Sequence, residues 1–413
     1  MPRSLFLLFA IAAFALLLTG CWDRKELNEL GITSSAGVDW ADDKWIITYQ
    51  VIVPSGMWSG SSGSSISASQ ATVHVFTSEG RTIREAAIRS SVEVPRPLYF
   101  SHTDTLIIGR SAAEHGLTDI VELYLRSVES RETVLMAVTE ERASDALKLF
   151  VPLERLPGDA LSKIMMKEAL NAGFYPIVRM FDFAQSLYSE SRAIAVPEIN
   201  LKNKKDAKSR KDLASIDTFK HTYSDSKLRI TGQSVFKDGR RIGHLDLRES
   251  YGVSWLSDKI KRSIVAVPCP SGSPPNAFSS FRVDFAKTKV KPLKEKDGYR
   301  MLVEVKARGE LMESECRLDL TKNEAVRQLR ESFEQEIEQI MDDGWDAVKR
   351  VKADLPGFAD KIYRQYPKDW KKMKIAWEDE LVKLKVEPKV RISVIRIGLA
   401  QKPLKLHRSN AKG

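Results

Sequence analysis

The cysteine at position 21 stands where the chain changes from apolar to polar. The run Leu5–Leu18 carries no charge, Arg3 precedes it, and Thr19 and Gly20 are small residues directly before Cys21. A positive start, an apolar core and small residues before a cut are typical of a secretory signal. The apolar run is shorter than the about 20 residues that a spanning helix needs. The pattern therefore predicts an exported chain whose first reactive side chain is a thiol at the cut.

The four residues 18–21, Leu-Thr-Gly-Cys, resemble the lipobox of bacterial lipoproteins. The resemblance implies that the Cys21 sulfur receives a diacylglyceryl group and that residues 1–20 are removed as a signal peptide. Two acyl chains hold a protein on a membrane durably, whereas one chain binds only marginally. A plain signal peptide, or a short anchor helix with a chance cysteine, is the alternative interpretation.

Length and composition describe the remainder of the chain. The 413 residues suggest two or three domains, and 43% hydrophobic and 29% charged residues are ordinary for a globular protein. No later segment has about 18 consecutive apolar residues, so no second membrane crossing is expected. We expect a folded body outside the membrane.

The net charge of +10 suggests an anionic partner. Nucleic acid, anionic lipid and a polyanionic cell wall are the three classes that a basic protein binds. Export argues against nucleic acid, which leaves lipid, wall polymer or simply a solvated basic surface.

Cys269 and Cys316 are the two cysteines that follow Cys21. An oxidising compartment allows them to pair, although one bridge does not make a disulfide scaffold. Neither cysteine has the spacing of a zinc site. The sequence leaves the pairing open.

Enzyme signatures are missing from the sequence. There is no phosphate-binding G-x-x-x-x-G-K-[ST] loop, no H-E-x-x-H metal helix and no G-x-S-x-G nucleophile elbow. Histidines such as His74, His102 and His244 are scattered and are expected to be structural hydrogen-bonding groups. We therefore predict no catalytic residues, no metal and no cofactor, and favour a binding or assembly role.

Strands alternate with helices in the first half of the chain, and the first predicted strand is 44–53. The fold class predicted is α+β (mixed α/β), with mixed sheets packed against helices. Asp238 and Gly239 predict a tight turn in a clear hairpin. The predicted parts are an N-terminal α/β domain 21–201, a basic linker 202–227, a small middle hairpin-containing domain 228–270, and a C-terminal α/β domain 271–413.

A long amphipathic helix is predicted over 321–355 in the C-terminal domain. Thr321 and Glu324 have capping-box spacing, and Gly357 is a plausible stop. Apolar residues recur along it at helical spacing: Val326, Leu329, Phe333, Ile337, Ile340, Val348 and Leu355. We expect this stripe to pack against its own sheet; a groove for a partner helix is the alternative.

The segment that follows the lipobox resembles the start of the mature Ger(x)C family, in which a lipidated cysteine precedes W-D-R-[KR]-E. Cys21, Trp22, Asp23 and Arg24 match that motif. Three later segments, 98–117, 235–256 and 366–398, resemble further blocks of the family. Trp22, Asp23 and Arg24 form a possible juxtamembrane motif; alternatively they position the cut or pack on the first domain.

The resemblance implies a three-domain mixed α/β lipoprotein, the C subunit of a nutrient germinant receptor. Such a protein is anchored on the outer face of the inner spore membrane and works with two integral membrane subunits, called A and B. The family provides no catalytic residues to transfer. Two other classes remain as alternatives: a solute-binding lipoprotein of a transporter, which needs two lobes around a ligand cleft, and a wall-remodelling enzyme.

Overall fold

The computed structural model describes residues 29–53, 71–127, 129–151, 154–202, 213–215, 217–218, 227–270, 273–296 and 298–398. The strands are β1 Gly31–Ala41, β2 Lys44–Ile52, β3 Val73–Gly80, β4 Leu98–Tyr99, β5 Thr105–Gly109, β6 Leu135–Thr139, β7 Ala193–Lys202, β8 Lys227–Lys237, β9 Arg240–Asp246, β10 Ser263–Pro268, β11 Phe278–Glu295, β12 Gly298–Ser314 and β13 Lys385–Arg396. The helices are α1 Ile83–Glu93, α2 Arg110–His115, α3 Thr118–Arg126, α4 Ala143–Leu147, α5 Pro157–Asn171, α6 Met180–Tyr188, α7 Leu247–Leu256, α8 Asn323–Val351, α9 Phe358–Gln365, α10 Pro367–Met373 and α11 Trp377–Lys383.

Within those ranges, the first sheet has nine strands in the order β3-β2-β1-β5-β6-β7-β8-β9, with β4 paired to β1. The central strands β1, β5, β6 and β7 pair parallel to one another. On one side of them β1 pairs antiparallel with β2, and on the other side β7 pairs antiparallel with β8. Helices α1, α3 and α6 pack on one face and α4 and α5 on the other. Covering both faces buries the central strands completely, which explains the continuous apolar run of β5.

Strand β1 has no counterpart among the predicted strands, which begin at residue 44. Its sequence is rich in Gly, Ser and Ala, which are not typical of strands, yet most of its residues are buried. The small residues are needed because α4 lies directly on the strand: a Cβ at Gly37 would be 2.8 Å from Leu147 and 2.9 Å from Ala143. Asp39 of β1 accepts a hydrogen bond from the Ala143 backbone N–H at the start of α4.

The second sheet has the order β10-β11-β12-β13. One face packs on α8, whose buried residues include Leu329, Phe333, Ile337 and Ile340. The prediction that the helical stripe packs on its own sheet is therefore confirmed, and so is the predicted class of mixed sheets with helices. The other sheet face has no helix on it among the described elements.

The long helix is shorter at both ends than the predicted 321–355. It begins at Asn323 with Lys322 as the N-cap, and Thr321 bonds to Asp319 instead of capping the helix. It ends at Val351 because Lys352 takes the left-handed conformation, with φ of 51°. Gly357, the predicted stop, precedes the next helix, α9. In α1, by contrast, Thr82 does cap the helix by accepting from the Glu85 backbone N–H.

The hairpin of β8 and β9 turns at Asp238 and Gly239, both with positive φ, as its sequence predicts. Its strands extend the first sheet, and β10, from the same predicted middle domain, is the edge of the second sheet. Helix α7 lies between them in sequence and packs on α8. The domain boundaries stay a prediction, with the segment 228–270 shared between the two sheets.

Helices α7 and α8 approach each other at a pair of glycines. A Cβ at Gly252 of α7 would lie 2.1 Å from the Ile340 carbonyl oxygen and 2.7 Å from the Gly344 Cα. Two helix backbones can come this close only where neither has a side chain at the contact. The Gly252–Gly344 contact therefore fixes how α7 packs on α8. Helix α7 follows the last strand of the first sheet, and α8 covers the second sheet.

A disulfide joins Cys269 to Cys316, with 5.3 Å between the Cα atoms. Cys316 is buried, and the Ser279 side chain lies against the bridge. The pairing that the sequence left open is thus made, between the segment after β10 and the segment after β12. It closes a loop of 47 residues.

Replacing both cysteines, as Cys269→Ser/Cys316→Ser, is expected to lower the free energy of unfolding by about 2–4 kcal/mol. The reason is that the bridge restricts the unfolded chain across its 47-residue loop. Urea unfolding with and without reductant measures the effect. Reductant must weaken the natural chain and leave the double variant unchanged. Equal stability of the two chains under oxidising conditions would contradict the prediction.

Candidate functional site

The predicted site residues Cys21, Trp22, Asp23 and Arg24 lie outside the described residues, and so does most of the basic linker. Lipid attachment at Cys21 and the juxtamembrane motif therefore stay predictions. The structure adds three features that have functional or structural consequences: an apolar cavity in the first sheet unit, a buried ionic cluster at the other side of that sheet, and a basic face on the second sheet.

The cavity lies between the first sheet and helices α1 and α3, and its volume is about 260 Å³. Its walls are mostly apolar and come from strands β1, β2 and β5, the two helices, Phe100, Thr103, and a group of residues that follow α3: Ser127, Glu129, Ser130, Arg131 and Val134. The walls include Ala36, Val38, Ile47, Ala87, Phe100, Leu106, Ile120, Leu123 and Val134. A cavity of this size and polarity can hold a small apolar group away from water.

Polar side chains occupy defined places in this cavity. Tyr49 and Tyr124 line it from β2 and α3, and burial raises the pKa of both phenols, so both remain neutral donors. Arg84, Glu129 and Arg131 also line it and are exposed, which places them towards solvent. The cavity thus combines an apolar interior, two tyrosine side chains and a charged opening.

A buried carboxylate, Glu198 of β7, is the centre of an ionic cluster. It accepts hydrogen bonds from Ser234 Oγ and Asn200 Nδ2, both at 2.8 Å, and His244 Nδ1 lies 2.9 Å away. Arg241 lies 3.5 Å from it and also pairs with Glu140. Because its lone pairs are taken by these groups, Glu198 is poorly placed to act as a general base. The cluster ties β7, β8 and β9 together.

The pKa values in this cluster follow from its contacts. Burial alone would raise the pKa of Glu198, but the hydrogen bond and charge of His244, with Ser234 and Asn200, lower it to about 2. The hydrogen bond to Glu198 raises the pKa of His244 above its ordinary 6.5. The pair is therefore a carboxylate and an imidazolium over a wide pH range.

His244→Gln is expected to destabilise the protein by about 1 kcal/mol at pH 5.5 and by less at pH 8.5. A raised pKa for His244 means that its stabilisation is complete below pH 6.5 and is lost as the pH rises through the folded-state pKa. The Glu198 contribution is complete above pH 4.5 and is lost as the pH falls towards 2. Urea unfolding at both pH values tests this; a constant difference between the variant and the natural chain would contradict it.

The open face of the second sheet is basic. On its three long strands, exposed lysines and arginines alternate with the buried residues that face α8: Lys287, Lys289, Lys291, Lys306, Arg308, Lys389 and Arg391. The strand register places Lys287, Lys306 and Arg391 side by side across the sheet. Acidic side chains on this face include Glu304, which pairs with Lys291, and Glu387, which pairs with Arg300 and Lys389.

Several cations of this basic face have no ion pair among the described residues. They are Lys289, Lys306 and Arg391; Arg308 lies 5.0 Å over the ring of Phe285. The Glu304 carboxylate attracts Lys306 and Arg391 without forming an ion pair with either, and the cations of this face outnumber its carboxylates, so an anionic surface would be attracted to it. We call the surface formed by Lys287, Lys289, Lys306, Arg308, Lys389 and Arg391 the basic sheet face.

Metal ligation and membrane crossing both lack support in the described part of the chain. No cluster of three or more His, Cys, Asp or Glu side chains in it could hold a metal ion. None of the helices in the described ranges is both long and apolar enough to cross a membrane.

No sequence signal points to the cavity, since its lining residues come from separate elements and each fits an ordinary core pattern. The ionic cluster also joins residues from different strands. The basic sheet face does have a signal, because apolar and basic residues alternate in 385–396 and lysines recur at every second position in 287–291.

Comparison with known families defines the class of this protein. Residues 23–201 match the model described as "Spore germination protein N-terminal domain". Residues 231–398 match "Spore germination B3/ GerAC like, C-terminal". The two matches together cover strands of both sheets, so this is a spore germination protein.

The chain belongs to the Ger(x)C family of spore germination proteins, as the sequence resemblance predicted. It is 27% identical over 410 residues to Spore germination protein KC of Bacillus subtilis (strain 168), covering 98% of each chain. Spore germination protein B3 of the same organism is 23% identical, over 95% of this chain and 98% of its own. The crystal structure of the GerBC protein superposes with a TM-score of 0.54 at 19% identity, covering 90% of this chain and 100% of that one.

Proposed function

We propose that this protein is the C subunit of a nutrient germinant receptor and acts by assembly with the integral membrane subunits of that receptor, A and B. A diacylglyceryl group on Cys21 holds it on the outer face of the inner spore membrane. The observation that carries the proposal is the family match over residues 23–201 and 231–398, which include strands of both sheets. The lipobox at residues 18–21 supplies the anchor.

A catalytic role has little support. The buried Glu198 is held by its hydrogen-bonding neighbours, and the cavity lining contains no histidine, cysteine or lysine to act beside its single acid, Glu129. A transporter's solute-binding lipoprotein is the second class. It would bind its ligand in a cleft between two lobes, whereas the cavity here lies within the first sheet unit.

The basic sheet face is our candidate for the contact with a membrane partner. It is a broad face of exposed side chains, and Lys289, Lys306 and Arg391 have no ion pair in the described part of the chain. We infer that it meets an acidic protein surface on one of the two integral membrane subunits. Charge pairing across such an interface speeds and orients docking and weakens as salt is added.

The test is Lys306→Glu/Arg391→Glu in spores. Both residues are exposed, so the fold should be unaffected. We expect copurification with the integral membrane subunits, and the germination rate with a nutrient, to fall at least ten-fold, because two attractive charges become repulsive. The amount of the variant in the membrane fraction should equal that of the natural chain.

A matched control is Lys361→Glu/Lys371→Glu, which reverses two exposed lysines on α9 and α10, away from the basic sheet face. This control should assemble and germinate normally. Normal copurification of Lys306→Glu/Arg391→Glu would exclude the basic sheet face as the contact. If the natural chain instead bound anionic vesicles through this face without the integral membrane subunits, its partner would be lipid and the protein-contact proposal would be wrong.

A further inference from the structure

We propose that the cavity between the first sheet, α1 and α3 is a binding site for a small amphiphile of about ten non-hydrogen atoms that has an anionic group and an apolar body. Such a site would let the protein bind a ligand of its own, which goes beyond assembly. Its residues are far from the basic sheet face in the sequence, so the two proposals can succeed or fail separately.

The size of the ligand follows from the volume of the cavity. An apolar cavity of about 150 Å³ in another protein holds one benzene molecule. The cavity here measures about 260 Å³. By proportion it accommodates about ten non-hydrogen atoms. A phenylpropionate or an eight-carbon carboxylate has this size, whereas a sixteen-carbon chain does not fit.

The walls indicate what the body of the ligand must be. Val38, Ile47, Leu106 and Ile120 offer it apolar contact alone. Tyr124 lines the same space, and its hydroxyl has no hydrogen-bond partner among the described residues. Tyr124 is half-buried, so water or a polar group of a ligand can accept from this hydroxyl. The interior therefore suits an apolar body.

The opening indicates the charge of the ligand. Arg84 and Arg131 line the cavity, are exposed, and have no ion pair in the part of the chain that the structure describes. Arginine binds carboxylate oxygens in pairs of parallel hydrogen bonds. On α1, Ile88 and Val92 follow Arg84 at four-residue steps and are 64% and 86% exposed. An amphiphile entering past these residues finds apolar surface beside two cations and one carboxylate, Glu129, so the opening carries a net positive charge.

Photolabelling of the full chain in neutral nanodiscs tests the proposal. The probe is an octanoate analogue with a diazirine near its tail. We expect mass spectrometry to place the label on peptides that line the cavity, including the one with Leu123 and Tyr124. Unlabelled octanoate and 3-phenylpropionate should halve the labelling at about 1 mM or below, the affinity that ligands of this size reach.

Two variants address the interior and the opening separately. Ala87→Phe places a ring in the cavity and should lower labelling at least ten-fold. Arg84→Glu/Arg131→Glu changes only exposed side chains and should lower it at least ten-fold as well. The control, Arg89→Glu/Arg126→Glu, reverses two exposed arginines of α1 and α3 that do not line the cavity. They pair with Glu85 and Glu122, so the folding of this variant is checked first, and the folded variant should label like the natural chain.

Three results would overturn the proposal. The first is that unlabelled octanoate fails to reduce the labelling of the natural chain. This result counts against the proposal even if Ala87→Phe fails to fold. The second is equal competition by octylamine, which would show that the anionic group is not selected. The third is competition by hexadecanoate or by anionic nanodisc lipid but not by octanoate, which would assign the cavity to a membrane lipid chain.

Discussion

Gly252→Ala is expected to lower the free energy of unfolding by about 3 kcal/mol, the upper end of the usual range for an overpacked site. The added methyl would lie 2.1 Å from the Ile340 carbonyl oxygen and 2.7 Å from the Gly344 Cα. Both contacts are with backbone, so no side-chain rotation relieves them. Helices α7 and α8 must move apart along their length, and the packing of α8 on the second sheet moves with them.

The reciprocal change, Gly344→Ala, should be nearly as costly, because its methyl would lie 2.5 Å from the Gly252 carbonyl carbon and 2.6 Å from the Val253 nitrogen. At an exposed position inside a helix, replacing Gly by Ala stabilises the helix by about 0.8–1.0 kcal/mol. A loss of stability here would therefore be opposite in sign to the effect of helix propensity alone. Urea unfolding of the purified variants gives both values.

Gln328→Ala is the matched control for these two glycine variants, since Gln328 is an exposed residue of α8. Its free energy of unfolding should stay within about 0.5 kcal/mol of the natural value. If Gly252→Ala had the same free energy of unfolding as the natural chain, the two helices would not meet at this glycine pair.

Cys21→Ala is expected to release the protein from the membrane or to leave its precursor uncleaved. Two acyl chains bind a membrane at about 0.8 kcal/mol per buried CH₂ group, and no single contact of the folded body replaces that energy. Without the anchor, the protein would leave the membrane surface, and its local concentration near the integral membrane subunits would fall. Its assembly with those subunits would then decrease by mass action. Nutrient germination should then be lost.

Incorporation of radiolabelled palmitate, together with membrane fractionation, measures this effect. The double variant Cys269→Ser/Cys316→Ser is the control. It should keep the label, because those two cysteines are joined in the disulfide and do not carry lipid. A Cys21→Ala protein that is cleaved, membrane-bound and free of lipid would contradict the anchor proposal.

Features that depend on neighbouring residues could be predicted from the sequence. The turn at Asp238 and Gly239, the Thr82 cap of α1 and the apolar stripe of α8 all form as expected, since each depends on residues within a short stretch of chain. The lipobox and the W-D-R motif belong to the same kind of signal, and they indicate the family without any knowledge of the fold. These are properties of short segments, where chemistry and spacing are visible directly.

The ends of the long helix show the limit of such local signals. Thr321 and Glu324 have the spacing of a capping box, but Asp319 accepts the Thr321 hydroxyl instead, and the helix begins two residues later. Gly357 has the expected left-handed conformation, yet it opens α9, because Lys352 has already ended α8. At each end, a competing local interaction or conformation is enough to shift the boundary.

Only the tertiary structure decided which segments meet. It placed β8 and β9 in the first sheet, made the Ser- and Gly-rich β1 a central strand, and brought Gly252 against Gly344. It also joined Cys269 to Cys316 and surrounded Glu198 with His244 and Arg241. The physical reason is that close packing selects partners by shape and charge among residues far apart in the chain. The sequence by itself predicted an export signal and determined many of the local elements and the family, whereas the cavity and the basic sheet face exist only once the strands and helices are packed.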